Sequence, residues 1–328
     1  MRNIFICSII GLLALTSCGG EGKILPNISG KPGEIIVVAT KAQWESETGA
    51  AIRDVLAADY PSLPQREPLF NLSNVPEASL NKLLKVHRNM LYLKPADGAE
   101  PTVRICNDIW ARPQIVVVVT VPPTDEAAAA FIRSNGDQIV EAFEKAERER
   151  ILANAKEFEE VGLRSVVENK FGGSPRFPNG YSLKKQASDF IWISYETSFL
   201  NQGIFIYRFP FTDMSQFTMD NLIAKRDEVL KDMVPAPNEG SYMITNPVNP
   251  VYRQVRFNDI DMYEVRTLWD THNDYMGGPF VSRAFLSPDG KSIIVTEGFV
   301  YAPKYKKRNY LRQVDAITGS FRWAEGKE

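Results

Sequence analysis

Three stretches of the chain share one order of apolar and polar positions: a β-rich run, a turn, then a helical period. EIIVVAT (34–40) precedes a helical pattern over about 45–59, with Ile52, Val55 and Leu56 on one face. QIVVVVTVPPTD (114–125) leads into a long Ala-rich helical stretch. GIFIYRFPFTD (203–213) leads into a helix carrying Met219, Leu222, Ile223, Val229 and Leu230. Apolar spacing near 3.6 is the mark of a helix with one buried face. The words PPTD and PFTD do the same work twice. Pro cannot donate to a strand ladder and ends it, and Thr or Asp then caps the first helical turn. Their 88-residue offset leaves two readings open, an internal duplication or the reuse of common vocabulary.

SNGD (134–137) predicts a break in the second helical stretch, since glycine is costly inside a helix. Beyond it, Ile139, Val140, Phe143, Ile151, Ala155 and Phe158 form the apolar stripe, and EKAERER (144–150) reads as its solvated charged side. A Gly-, Pro- and Asn-rich loop, 168–186, could join two halves. From Tyr242 onward the pattern is mostly strand, with VYRQVRF, DMYEVRTLW and PFVSRAFLS in turn. The Asp-Gly of PDG (288–290) then predicts a hairpin into KSIIVTEGFVYAP, and Lys306 to Ala316 reads as a closing helix. FIWISY and IFIYRF are apolar on both faces, as strands buried between layers are. The expected class is α+β: mainly antiparallel sheet with helices packed on one side, with two related β–α halves as an open option. The halves would span 34–167 and 168–328, either separate or as one continuous domain.

The N-terminus follows a different grammar. Arg2 precedes an apolar run, Ile4 to Leu15, that is too short to span a bilayer, and Leu15-Thr16-Ser17-Cys18 closes it. This predicts a signal peptide over 1–17 and lipidation at Cys18, where more than one acyl chain gives lasting attachment. Residues 18–33, rich in Gly, Pro and small polar residues, then read as a flexible tether. An ordinary signal peptide that happens to contain Cys18 is the plainer alternative.

Composition narrows the rest. With 44% hydrophobic residues the chain is globular, and a net charge of −2 gives no argument for nucleic acid. Of three cysteines, Cys7 leaves with the signal and Cys18 carries lipid. Cys106, in the strand-like run TVRICNDIW, is then the one thiol of the fold and reads as packed rather than nucleophilic. Two histidines, His87 and His272, cannot assemble a typical zinc site. His87, in the basic helical pattern LNKLLKVHRNM, reads as a surface residue. Phosphate-loop, dinucleotide, metalloprotease and nucleophile-elbow motifs are missing, so no cofactor is expected. SLKK (182–185) has the Ser-x-x-Lys spacing of penicillin-binding enzymes without their companion motifs.

The most unusual stretch is LWDTHNDYMGGPF (268–280). Trp269, Asp270, His272, Asp274 and Tyr275 crowd one loop, either as a ligand mouth or, through Asp270, His272 and Asp274, as an acid–base pair. A polar turn with no further role is the bland reading. PKYKKRNYLR (303–312), with five basic residues and two tyrosines, is either a solvated helix start or a contact for anionic head groups.

NDIWARPQIVVVV (107–119), MGGPFVSRAF (276–285) and TEGFVYAPKYKKRNYLRQ (296–313), with the segment ending at Cys18, resemble a family of envelope lipoproteins from Bacteroides-type bacteria. That family is catalogued only as a domain of unknown function, and the resemblance runs from about Gly33 to Trp323. It implies an envelope setting and no activity or catalytic residue. Gly19 in place of an Asp favours the outer membrane, while Glu21 alone is a weak surface-export signal. The expected function is a lipid-anchored, non-enzymatic binding or accessory module engaging an envelope protein or glycan. The alternative is an envelope hydrolase built on Asp270, His272 and Asp274.

Overall fold

The structure, a computed structural model, describes residues 24–324. The signal segment 1–17, Cys18 and residues 19–23 lie outside the described residues. The first half contains β1 (Glu34–Val38), α1 (Lys41–Glu45), α2 (Glu47–Leu56), β2 (Asn71–Val75), α3 (Lys82–Lys85), β3 (Asn89–Pro95), β4 (Thr102–Asn107), β5 (Ile115–Val121), α4 (Asp125–Ser134) and α5 (Gly136–Glu157). The second contains α6 (Val161–Phe171), β6 (Gly173–Ser174), β7 (Ser182–Gln186), β8 (Phe190–Thr197), β9 (Leu200–Pro210), α7 (Met219–Met233), β10 (Tyr242–Phe257), β11 (Ile260–His272), β12 (Gly277–Leu286), β13 (Ser292–Tyr301), α8 (Arg308–Gly319) and β14 (Arg322–Trp323).

The fold is α+β, and its two halves are not built alike. The first sheet runs β2-β1-β3-β5-β4, parallel except for β4. Its central strands are apolar on both faces, as a buried parallel sheet requires. Ile35, Val37, Leu91, Val117 and Val119 face α2, α4 and α5, while Ile36, Val38, Met90, Tyr92 and Val116 pack under a layer that includes Leu80, Leu84 and Trp110. The second sheet, β10-β11-β12-β13-β9-β8-β7, is antiparallel throughout. Helices cover both of its faces. Val167, Phe171, Leu311, Val314 and Ile317 of α6 and α8 pack on one, and Leu222 and Leu230 of α7 on the other. The aromatic runs of β8 and β9 fill both cores, because each strand has a hydrophobic layer on either side.

Several local features follow the sequence closely. Asn135 separates α4 from α5, and a Cβ on Gly136 would approach Val55 at 3.1 Å, so the break also lets α2 come close. Thr124 caps α4 through the Ala127 N–H. Asp213 caps a short 3-10 turn, Met214–Phe217, that precedes α7. The Pro288-Asp289-Gly290 turn closes with the Gly290 N–H on the Ser287 carbonyl at 2.9 Å and joins β12 to β13.

Three expectations change. Pro26–Gly33, read as tether, is docked on the first half: the Ser29 N–H donates to Val86 O, and Ser29 O accepts from Arg88. The helix expected around His87 is the single turn α3, because β3 begins at Asn89. His87 is therefore buried, with Gly30 (φ +88°) lying so close over its ring that a Cβ would sit 2.3 Å from Nε2. The loop expected over 168–186 holds the end of α6 and the strands β6 and β7, so ladder and helix bonds take up backbone that composition alone marked as irregular.

Asp125, the first residue of α4, also caps α2. It accepts from the Ser46 hydroxyl at 2.6 Å and from the N–H groups of Glu47 and Thr48 at 2.9 and 3.0 Å. Hydrogen bonds from Ser46 and Thr48 hold its carboxyl down from 3.8 to about 2. A depressed carboxyl stabilises the fold above its unfolded value and loses that effect as pH falls through its folded value. Asp125→Ala is expected to lower the thermal midpoint at neutral pH, with the gap to the unaltered protein closing between those two values in a pH series of melting curves.

Candidate functional site

Within EKAERER, Lys145 and Glu149 stay exposed, while Glu147 is buried and Glu144 turns to the second half. Glu147 of α5 is 1% exposed. It binds Arg88 at 2.7 Å, Arg150 at 3.2 Å, the Asn89 amide at 2.8 Å and the Gly33 N–H at 3.3 Å. Burial lowers Arg150 to about 10, against the pull of Glu147. Glu144, one turn earlier, pairs with Arg312 of α8.

The basic run before and within α8 is spent in the same junction. Glu67 of the first half caps α8, accepting from the Lys307 N–H at 2.6 Å and the Arg308 N–H at 3.2 Å. A carboxylate there satisfies orphan donors and meets the positive end of the helix dipole. Arg308 donates to Pro68 O at 2.6 Å, and Arg312 to Leu69 O at 2.7 Å while lying 4.6 Å over the Phe70 ring. Of the five basic residues in that run, Lys307, Arg308 and Arg312 are thus turned inward. Farther along α8, Asp315 pairs with Arg266 at 2.9 Å and with Arg283, both of the second sheet. Burial raises its carboxyl, but Arg266 and Arg283 outweigh this and hold it below the usual range.

Between α5, the β8–β9 edge and α8 opens a cleft of about 660 Å³. Its walls carry Tyr181, Tyr195, Tyr305 and Tyr310, and the amides Asn154, Asn179, Gln202, Asn309 and Gln313. Tyr181 and Tyr195 lie with ring centres 5.9 Å apart, Tyr305 and Tyr310 6.3 Å apart. Tyr305 is 46% exposed. Glu147 is the one carboxylate in the lining, and its oxygens are taken by Arg88, Arg150, Asn89 and Gly33.

The loop singled out from sequence is split by the fold. Trp269 is buried, donates its indole N–H to Val300 O at 3.3 Å, and lines a second pocket with Thr271 and Met276. Asp270 accepts from the Thr271 N–H at 2.8 Å and Asp274 from the Tyr275 N–H at 2.7 Å. His272 is exposed and stacks on Tyr242 at 4.9 Å. Among the described residues, no carboxylate lies within hydrogen-bond distance of His272. Tyr275 projects fully into solvent. The acid–base pair of the hydrolase reading is therefore not assembled, because strand alternation and the turn send these side chains in different directions. Cys106, on the edge strand β4, is half-buried against the layer holding Trp110. Among the described residues, no helix is long and apolar enough to cross a membrane and no group of three metal-ligating side chains occurs. The tyrosine and amide cleft was missed in sequence, since its walls come from segments over a hundred residues apart; the one available signal was the amide-rich spacing around Pro178 and along α8.

Residues 161–320 match the family model described as Domain of unknown function (DUF4837), and residues 28–156 match Domain of unknown function (DUF8532). The two matches meet between 156 and 161, where α5 gives way to α6. No curated protein matches the chain. Among solved structures it is similar to a crystal structure from Bacteroides thetaiotaomicron, at 9% identity and a TM-score of 0.27. That likeness covers 48% of this chain and 47% of the other, so the chain spans about half the length of that protein. It is also similar to the human StarD13 (DLC2) lipid transfer and protein localization domain, at 12% identity and a TM-score of 0.22, over 49% of this chain and 95% of that one. Likenesses this slight carry no functional argument.

Removing one partner of a buried ion pair strands the other, at about 3–5 kcal/mol. Arg312→Met is expected to cost that much in urea denaturation, and adding Glu144→Leu to recover part of it. A double substitution as unstable as the single would mean the pair does not hold the halves.

Proposed function

We propose that the chain is a lipid-anchored cell-envelope protein, held in the outer membrane through Cys18, that binds an envelope saccharide in the cleft between its halves without cleaving it. The cleft lining carries the reading. Sugar rings present apolar C–H faces that pack on tyrosines, and hydroxyl and acetamido groups that pair with side-chain amides as both donor and acceptor. Most glycoside hydrolases flank the scissile bond with two carboxylates. This lining offers one, already locked by two arginines, an amide and a backbone N–H. That argues for holding rather than cutting. The anchor reading rests on the apolar run and the small residues before Cys18.

Isothermal titration with N-acetylglucosamine oligomers, together with cosedimentation on purified sacculi, tests the binding. Saturable binding is expected, weakened at least about tenfold by Tyr195→Ala or Tyr305→Ala. Absence of binding to both, or binding indifferent to both substitutions, discards the saccharide. Mass spectrometry of the native protein tests the anchor. An acylated amino-terminal peptide beginning at Cys18 is expected, and Cys18→Ala should move the protein out of the membrane fraction.

A further inference from the structure

The docked segment before β1 fixes where the chain meets the fold. Pro26 O accepts from the Arg112 N–H at 2.9 Å, and the Ser29 N–H donates to Val86 O at 2.9 Å. Both bonds lie at one end of the first sheet, since β3 and β5 start side by side at Asn89 and Ile115. Only eight residues separate Pro26 from Cys18, a span of at most about 29 Å for an extended chain at about 3.6 Å per residue. A fold of this length is roughly 50 Å across. An acylated Cys18 therefore cannot reach round the molecule, and the end of the first sheet that holds Pro26 is the part brought to the bilayer.

The surface at that end combines exposed apolar and basic side chains. α3 turns Leu84 inward, onto the layer that holds Trp110, and leaves Leu83 78% exposed with Lys82 beside it. The Lys85 ammonium lies 5.9 Å from the Trp110 ring, which brings α3 against the loop 108–113. In that loop Ile109 is exposed, and Arg112, the residue that holds Pro26, is exposed too. Arg104, on the edge strand β4, is exposed on the face it shares with Cys106, because alternate residues of a strand point the same way. The acids nearest in the chain are Asp108, which Arg112 holds at 3.2 Å, and Glu77 in the turn before α3. Four cations against two carboxylates leave this face positive. A lone exposed leucine is ordinary, but large aliphatics and an indole among cations make up an interfacial surface.

We propose that this face, formed by α3 and the loop 108–113, lies on an anionic bilayer, with Leu83 and Ile109 entering the head-group boundary and Lys82, Lys85, Arg104 and Arg112 meeting lipid phosphates. The anchor and the face are two attachments on a short link, so the second engages at high effective concentration. Acylation holds the protein at the membrane, and the face sets which side of it looks outward. The setting rests on the reading of Cys18 as acylated; the affinity of the face for anionic lipid does not.

Two samples test this. The chain from Gly19 onward, which holds every described residue and no acyl group, is mixed with vesicles at millimolar lipid. Cosedimentation with phosphatidylcholine vesicles containing phosphatidylglycerol is expected, lost in high salt and at least about tenfold weaker with phosphatidylcholine alone. Lys82→Glu combined with Lys85→Glu should weaken it by a similar factor. The acylated chain, reconstituted in the same vesicles, then carries an environment-sensitive dye at Leu83→Cys or, as control in the other half, at Tyr275→Cys, each with Cys106→Ser. Emission from the Leu83 site is expected to shift to the blue and to be quenched by brominated lipids, while the Tyr275 site stays as in water. Equal binding to both kinds of vesicle, or to neither, overturns the proposal, as does a dye at Leu83 as wet as one at Tyr275. The vesicle comparison uses unaltered side chains and holds even if a variant fails to fold. A native chain found without acyl groups discards the anchor alone, and the chain from Gly19 then decides the face by itself.

Discussion

One helix holds this molecule together. α8 is capped by a carboxylate of the first half, Glu67, and tied to α5 through Arg312 and Glu144. Its Leu311, Val314 and Ile317 belong to the core of the second half, and Asp315 anchors it to Arg266 and Arg283. A helix with so many charged residues survives burial because nearly every charge has a fixed partner. Left unpaired, each would be costly to remove from water. Burial alone would favour apolar substitutes, so the ion pairs supply register: they specify how one sheet meets the other.

That register places the cleft. Its walls come from α5, from the β8–β9 edge and from α8, so its shape exists only while the junction is closed. Arg88 and Arg150 close on Glu147 in its floor. Gln202 donates to Tyr310 O and Gln313, and Asn309 to Pro32 O, which leaves the tyrosine rings with Asn154 and Asn179 to meet a ligand. The one carboxylate of the lining is engaged by arginines, and the lining's hydroxyls are those of Thr197 and the four tyrosines.

The second sheet serves two faces with different characters. On one, Tyr195 and Gln202 look into the polar cleft. On the other, Trp192 and Asn201, their near neighbours on the same strands, line the second pocket beside Trp269. Alternation along a strand makes this possible: neighbouring residues serve opposite faces. An antiparallel sheet sandwiched between helices can thus carry two unrelated surfaces without lengthening the chain.

Element type was legible in the chain because it rests on local physics. The paired strand-stop and helix-cap words, the break before Gly136, the Asp-Gly hairpin and the doubly apolar runs of β8 and β9 all depend on neighbours a few residues away. What the sequence could not convey was which charges would be buried. EKAERER and PKYKKRNYLR read as solvated faces because charge normally seeks water, and tertiary contacts reverse this for some of their residues: Arg88 takes Glu147, Glu67 takes the start of α8, and the meeting of α5 with α8 pairs Glu144 with Arg312. The same holds for His87, covered by a glycine far upstream, and for the loop 268–280, where Trp269 turns into a pocket while His272 and Tyr275 turn away. The parallel order of the first sheet was hidden as well, since β3 and its partners are joined by crossovers that leave no periodic trace. Local patterns decide which segments become helices and strands; pairing between distant charges and the direction of each strand decide where they meet, and those are properties of the assembled fold alone.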